Sequence, residues 1–497
     1  MGIMRIVYAG IIVIFTSASL VHAAITESQT LVVYNSASSE GVALKDAYLA
    51  AHPGIPSEPF ANVIDLNDAS LLKSDLTIDE FITKVRDPIR HRLLLLIPPR
   101  PNDIIAIVLI RPMPHRILDS DNPLVGDDPS AADVEFFDNA DATYASVDSE
   151  LTLLFQDLYT GEVGGTMDSL ADNVILNPYW LPPDHLVEID AFSRLSIISP
   201  KTFENRYDEH WQATGSGSSR LTSGDIYLVC RIDGTTQADA LALIDRAQDL
   251  SVNRATTHVL LDTSAAYSGL FNEYLEFSES VLSGAGWNVR FDESINFIDS
   301  SEEPRPLIAY ASSGEDHGND GQGEDPPGDG TYIDGFTFAQ GAIFTSAESY
   351  NARGLNGLGT LFDQEQVADF VSVGGTFAIG NVFEQFAYGW PEAPYYFYHM
   401  FVNQWTWAEA AYTSIPFLSG QTIVLGDPLA RFETIVDIEG DCNADISVDI
   451  ADYSSFATCL AQSPTGLGLE CECFDFNTDT AVDLADFAEL QVFFDDN

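Results

Sequence analysis

The sequence predicts an α/β protein, a largely parallel sheet flanked by helices, followed by a small helical module. Three observations carry this. Short apolar runs such as LVVY (Leu31–Tyr34) and IIAIVLI (Ile104–Ile110) alternate with helical segments along most of the chain, the pattern of strands buried on both faces. Hydrophobic residues make up 45% of the 497 residues and aromatics 11%, enough for a sizeable core despite a net charge of −55. Beyond Gly440 the pattern changes to a repeated acidic motif.

In chain order, Met1–Arg5 is a short basic stretch, Ile6–Phe15 is apolar, and Val21-His22-Ala23 offers a small-residue cleavage site. Residues 1–23 therefore read as a secretory signal peptide, which places the mature chain outside the cytoplasm: secreted, periplasmic or on the cell surface; a membrane anchor is the alternative reading of the same run. No later stretch approaches the roughly 18 to 20 apolar residues of a membrane span. The body, 24–435, opens with strands at Thr30–Tyr34, Asn62–Leu66 and Ile104–Ile110. Helices are expected at Val42–Ala51 and Ile78–Leu95. Pro112–Pro200 is irregular, with one helix over Ser146–Leu158.

A second run of strands follows at Asp225–Ile232, Thr257–Leu261, Trp287–Phe291, Pro306–Ala311, Gly341–Thr345, Gly375–Ile379 and Thr422–Leu425. Helices separate them at Thr236–Leu250, Phe271–Leu282, Glu365–Val371, Pro394–Asn403 and Trp407–Thr413. The body thus divides into halves at 24–200 and 201–435. Gly314–Gly330, rich in Gly and acidic residues, is expected to be a mobile loop. Residues 436–440 are expected to be a linker to the module at 441–497.

Lys and Arg total 21 against 76 Asp and Glu. Such a surface repels phosphate backbones, so nucleic acid is excluded as a partner. Four of the five cysteines, Cys442, Cys459, Cys471 and Cys473, fall in the module. In an exported chain they suggest two disulfides, with three pairings open, and a zinc knuckle is the rival reading. Cys230 lies on an apolar strand and reads as a buried core thiol.

The acidic repeat runs Asp441, Asn443, Asp445, Ser447, Asp449, Asp452, and recurs 34 residues later as Asp475, Asn477, Asp479, Ala481, Asp483, Asp486. These are positions 1, 3, 5, 7, 9 and 12 of a calcium loop, in which position 7 lends only its carbonyl oxygen. Oxygen-only donors point to calcium as the cofactor and away from zinc. An apolar helical face follows each loop: Tyr453, Phe456, Leu460, then Phe487, Leu490, Phe493, Phe494. One loop and one helix per copy, with Asp at position 12, resembles a type I dockerin, an EF-hand-like module. That resemblance implies a cohesin-like partner or a cell-surface assembly. Position 6, ordinarily Gly, is Ile446 and Thr480, β-branched residues expected to resist the left-handed turn. Positions 10 and 11, which in dockerins help choose the partner, are Ile450–Ala451 and Leu484–Ala485.

The body carries LVVYNSASSEG (Leu31–Gly41), IDEFITKVRDPIRHRL (Ile78–Leu93), ASVDSELTLL (Ala145–Leu154), YLVCRIDGTT (Tyr227–Thr236), GGTFAIGNVFEQF (Gly374–Phe386) and WAEAAYTSIPFLSGQTIVLGDPLARF (Trp407–Phe432). On these it resembles an uncharacterised family of exported bacterial proteins. A more distant resemblance reaches the gingipain-like peptidases of the caspase fold and implies two caspase-like subdomains. Their chemistry needs a His-Gly after one strand and a Cys after the next. Here His317-Gly318 follows Pro306–Ala311, but Gly341–Thr345 leads into Ser346, Ala347, Glu348 and Ser349 with no Cys, so the dyad is broken.

Ligands of α/β sheets sit beyond the carboxyl ends of strands, which selects Asn35, Ser36, Arg111, Arg231, Asp233, His317, Glu348, Asn381, Glu384 and Asp427. Of these, His317, Glu348 and Glu384 are the catalytic candidates. Asp233-Gly234 and Asp427-Pro428 also read as ordinary turn chemistry, and Arg111 and Arg231 are either structurally paired or poised for an anion. No GxGxxG loop, Walker loop, HExxH or GxSxG motif is present. The expectation is a secreted α/β body of unassigned activity tethered by a calcium-binding module. The alternative is a secreted hydrolase, polysaccharide-degrading or a caspase-fold peptidase, carrying a dockerin.

Overall fold

The computed structural model describes residues 24–57, 62–95, 103–118, 145–155, 175–177, 179–180, 226–263, 270–294, 298–314, 333, 335–348, 350–355, 365–383, 390–418, 420–462 and 467–495. Residues 1–23, expected to be a signal peptide, the stretch 315–332, His317 and Glu384 lie outside them. The strands in chain order are β1 (Thr30–Tyr34), β2 (Val63–Asp65), β3 (Asp75–Leu76), β4 (Ala106–Ile110), β5 (Arg116–Ile117), β6 (Ala145–Ser146), β7 (Ile175–Leu176), β8 (Leu228–Ile232), β9 (Ser251–Asn253), β10 (His258–Asp262), β11 (Asn288–Asp292), β12 (Leu307–Ser312), β13 (Phe338–Ser346), β14 (Phe377–Asn381), β15 (Phe417–Leu418), β16 (Thr422–Leu425) and β17 (Thr434–Val436).

Ten of these strands make one sheet, in the spatial order β11, β10, β12, β13, β14, β16, β8, β4, β1, β2. β2, β1, β4 and β8 are parallel to one another, as are β11, β10, β12, β13 and β14. β16 is joined to β8 by a single parallel bridge, Leu425 to Arg231, and is antiparallel to β14 over four residue pairs, so the sheet consists of two parallel five-stranded blocks that run in opposite directions and meet at β16 and β14. The expectation of a largely parallel, helix-flanked sheet therefore holds. Strands from both halves, 24–200 and 201–435, share this one sheet, because β4 pairs directly with β8.

The apolar strands are continuous because both faces are covered. Leu31, Val33, Ile107 and Leu109 pack on one side with Ile78, Phe81, Val85, Ile89 and Leu93 of the segment Ile78–Leu95 and with helices Leu270–Gly284, Ala393–Phe401 and Trp407–Ser414. Their neighbours Val32, Val108 and Ile110 point the other way, onto Leu44 and Tyr48 of helix Ser39–Ala51, Leu243 of Gln237–Arg246 and Phe370 of Gln366–Ser372. The two-residue period of a strand does this sorting.

Helix Ser39–Ala51 begins three residues before the apolar pattern suggests, because the Ser38 hydroxyl accepts from the Gly41 amide. Gly41 is required there, since a Cβ would stand 2.8 Å from the Asn35 carbonyl. The segment Ile78–Leu95 is helical throughout but passes through a π-helical stretch at Phe81–Arg86. It starts with a capping box between Thr77 and Glu80. Among the described residues no helix is long and apolar enough to cross a membrane.

Arg111 and Arg231 are paired. Arg231, fully buried, holds Asp148 at 2.6 Å and Asp233 at 2.8 Å and donates to the Pro114 carbonyl at 3.1 Å. One cation thus ties β8 to helix Val147–Thr152 and to the loop after β4. Arg111 bonds to Glu40 and to Asp233 at 3.3 Å. Cys230 is fully buried, and burial pushes its thiol well above the ordinary range.

The segment 436–440 is not a free linker. β17 pairs in parallel with β9 through Thr434–Ser251, Ile435–Val252 and Val436–Asn253. Arg254 grips Asp437 with two bonds of 3.0 and 2.6 Å. These strands are three residues long, below what apolar periodicity can reveal.

Removing one partner of a buried ion pair strands the other charge, at a cost of about 3 to 5 kcal/mol, whereas exposed pairs contribute about 1 kcal/mol or less. Urea unfolding is therefore expected to show Arg231→Ala losing about 3 to 5 kcal/mol and Arg254→Ala no more than about 1. Equal losses would contradict the assignment of Arg231 as the internal clamp.

Candidate functional site

The acidic repeat folds as two loop and helix units, Ile450–Gln462 and Leu484–Asp495, separated by a 3₁₀ turn over Leu469–Phe474. Val448, Phe456, Cys459, Cys471, Phe474, Val482 and Leu490 form its core. So small a core needs staples, and the cysteines supply them as Cys442–Cys473 and Cys459–Cys471. All four thiols are consumed, so none is a zinc ligand. Of the expected apolar faces, Phe456 and Leu490 are buried, while Tyr453 and Leu460 are each 39% exposed.

The two loops share one pattern of backbone amides bonded to side-chain oxygens. The carboxylate at position 1 accepts from the amides of positions 5 and 6: Asp441 from Asp445 and Ile446 at 3.0 and 2.9 Å, Asp475 from Asp479 and Thr480 at 3.0 and 2.8 Å. The position 3 side chain accepts from the position 5 amide, and the position 5 carboxylate from the position 7 amide. Position 12 closes the ring. Asp452 accepts from the amides of Asn443 and Asp449, Asp486 from those of Asn477 and Asp483.

This network answers the question posed by position 6. Ile446 and Thr480, expected to resist the left-handed turn, both adopt it, at φ 72° and 68°, as do Ala444 and Thr478 at 60° and 58°. A left-handed residue costs roughly 1 to 2 kcal/mol, and the bonds from the position 5 and 6 amides to one carboxylate offset it.

Asp441, Asp452 and Asp486 are fully buried. Burial raises the carboxyls of Asp441 and Asp452 above their ordinary range, and the charge of Asp452 pushes Asp441 further. Among the described residues no three His, Cys, Asp or Glu side chains gather as a metal cluster; the loop carboxylates face backbone amides instead. The residues able to hold a cation are Asp441, Asn443, Asp445, the Ser447 carbonyl, Asp449 and Asp452, and in the second loop Asp475, Asn477, Asp479, the Ala481 carbonyl, Asp483 and Asp486. Oxygen donors alone, on a backbone already turned at positions 4 and 6, fit calcium.

No family model, curated protein or solved structure matches the chain.

The strand-end residues selected in the body fall into separate groups. Asn35, Arg111, Arg231 and Asp233 are absorbed in turns and ion pairs: the Asn35 amide donates to the Asp68 carbonyl at 2.8 Å and its oxygen accepts from Asp68. Ser36 is bonded to Asp65 and Asn67 in the same turn. Asp427 faces helix Ser39–Ala51, bonded to the Tyr48 hydroxyl at 2.9 Å and His52 at 2.6 Å. Glu348 and Asn381 stand with the ends of β10, β12, β13 and β14. There the Ser346 hydroxyl accepts from Asn351 at 2.8 Å, Asn351 accepts from the Asn381 amide at 2.7 Å, and Glu348 lies against Gly314 near Gln366.

The same end holds a residue absent from the sequence reading. Asp262 closes β10, buried, accepting from the Ile298 amide at 2.9 Å. Burial, reinforced by Asp292, pushes its carboxyl up to about 8. Tyr310, also buried, feels the charge of both Asp262 and Glu348. In sequence Asp262 merely follows an apolar run, and only its burial distinguishes it. A carboxyl protonated at neutral pH can deliver a proton, and the charge of Glu348 acts on the same tyrosine.

An acid whose pKa is raised on folding stabilises the protein below its unfolded value, near 4, and loses that contribution as pH rises through about 8. Calorimetry of Asp262→Asn should therefore show a smaller fall in Tm than the wild type between about pH 5 and pH 9. Parallel declines would mean that Asp262 is ionised in the folded state.

Proposed function

We propose that this chain is a secreted calcium-dependent tethering protein. The α/β body is carried to a protein partner, cohesin-like in kind, by the dockerin-like module formed by the two loops. The observation that carries the reading is the shared amide-to-carboxylate pattern of the two loops, which extends to the left-handed residues at positions 4 and 6. Two disulfides in the module support an oxidising, extracytoplasmic address. Docking is supported by Ile450 and Leu484, matching position 10 residues that are 71% and 73% exposed. Large side chains held so far into solvent at symmetric places suit a protein contact.

Calorimetric titration of the full chain is expected to show near two calcium sites, and a chelator should expose 441–495 to proteolysis while leaving the body intact. Absence of binding at millimolar calcium would end this reading. A hydrolytic body is the second reading, favoured by Asp262, whose carboxyl burial pushes up to about 8, and by Glu348, both of which act on the buried Tyr310. It predicts turnover of glycans or peptides by the full chain that is lost in Glu348→Gln.

A further inference from the structure

The two loops match in sequence and in internal bonding, yet they differ in what the body does to them. Asn253, fully buried at the end of β9, donates from its side-chain amide to Asp441 Oδ2 at 2.9 Å. The same amide reaches the Ile438 carbonyl at 2.7 Å, and its oxygen accepts from the Ile438 amide at 2.9 Å. Asp441 is position 1 of the first loop. Its counterpart Asp475 is half-buried, and among the described residues no body side chain donates to it.

The surrounding seam is built to hold this contact. On one side are the β9–β17 ladder and the Arg254–Asp437 pair. On the other, Arg305 of the body reaches Glu472 at 3.2 Å, in the turn that Cys473 ties to Cys442 of the first loop. Between them lies a cleft of about 900 Å³, lined by Trp287, Arg290 and Asn443 among others.

The choice of donor at Asp441 is informative. The body places arginines on Asp437 and Glu472, which are not loop ligands, but among the described residues it presents a neutral amide to the one ligand carboxylate it touches. An arginine there would neutralise Asp441 and repel a divalent cation. An amide orients the carboxylate and leaves its charge available, as outer-shell partners of metal ligands do.

Building on the calcium reading, we propose that the body is part of the first calcium site. Asn253 fixes Asp441, so calcium binding in the first loop and docking of the module on the body are one linked equilibrium, while the second loop binds on its own. By reciprocity, whatever docking adds to first-loop affinity, calcium returns as docking strength.

Calcium titration of the full chain with and without Asn253→Ala tests this. The expected result is one site weakened by about 10- to 100-fold and the other unchanged. Wild-type affinity at both sites, or equal loss at both, overturns the coupling alone; a wild type that binds no calcium overturns the calcium reading with it. A second measurement does not depend on the variant's folding. Calcium should slow hydrogen exchange of the Arg254 and Ile438 amides in the wild type by about fivefold or more, and unchanged exchange with both sites filled overturns the proposal.

Discussion

A chain with 76 carboxylates and 21 lysines and arginines can bury an acid only where something removes or balances its charge. That constraint shapes this protein. Unpaired, a buried carboxylate is too costly for any amount of local packing to offset. The structure meets the constraint in three main ways.

In the half of the sheet around β4 and β8, scarce arginines do the work. Arg231 alone carries Asp148 and Asp233, and Arg111 shares the latter. At the end of β10 and ahead of helix Ala393–Phe401, burial outweighs the neighbours that favour the charged form. Burial pushes Asp262 up to about 8 and Glu392 up to about 7. In the C-terminal module the solution is backbone amides, which fold two chain segments around rings of carboxylates. Amides alone leave Asp441 and Asp452 raised. The oxygen-only donor set of each loop, on a backbone already turned at positions 4 and 6, suits a divalent cation, which is the physical core of the tethering proposal.

Much of this was legible in the sequence, for identifiable reasons. The buried parallel strands announced themselves as apolar runs, and β1 and β16 have the expected limits, Thr30–Tyr34 and Thr422–Leu425. The loop repeat was visible because ligand spacing is a local property. What was hidden is non-local. β9 and β17 are too short for a period to emerge, so a strand-paired seam read as a linker. Asp262 and Asn253 look ordinary in sequence, and only burial and partners set them apart. Ile446 and Thr480 argued against a left-handed turn by residue type, and the carboxylate bonds of Asp441 and Asp475 outweighed that preference.

The central claim is that these loops are cation sites completed by the body on one side. Anomalous diffraction from crystals of the full chain grown with calcium tests it most directly. The account predicts two peaks, one within the ring Asp441–Asp452 and one within Asp475–Asp486, with Asn253 still bonded to Asp441. No peak in either loop, or calcium bound elsewhere on the acidic surface, would contradict it.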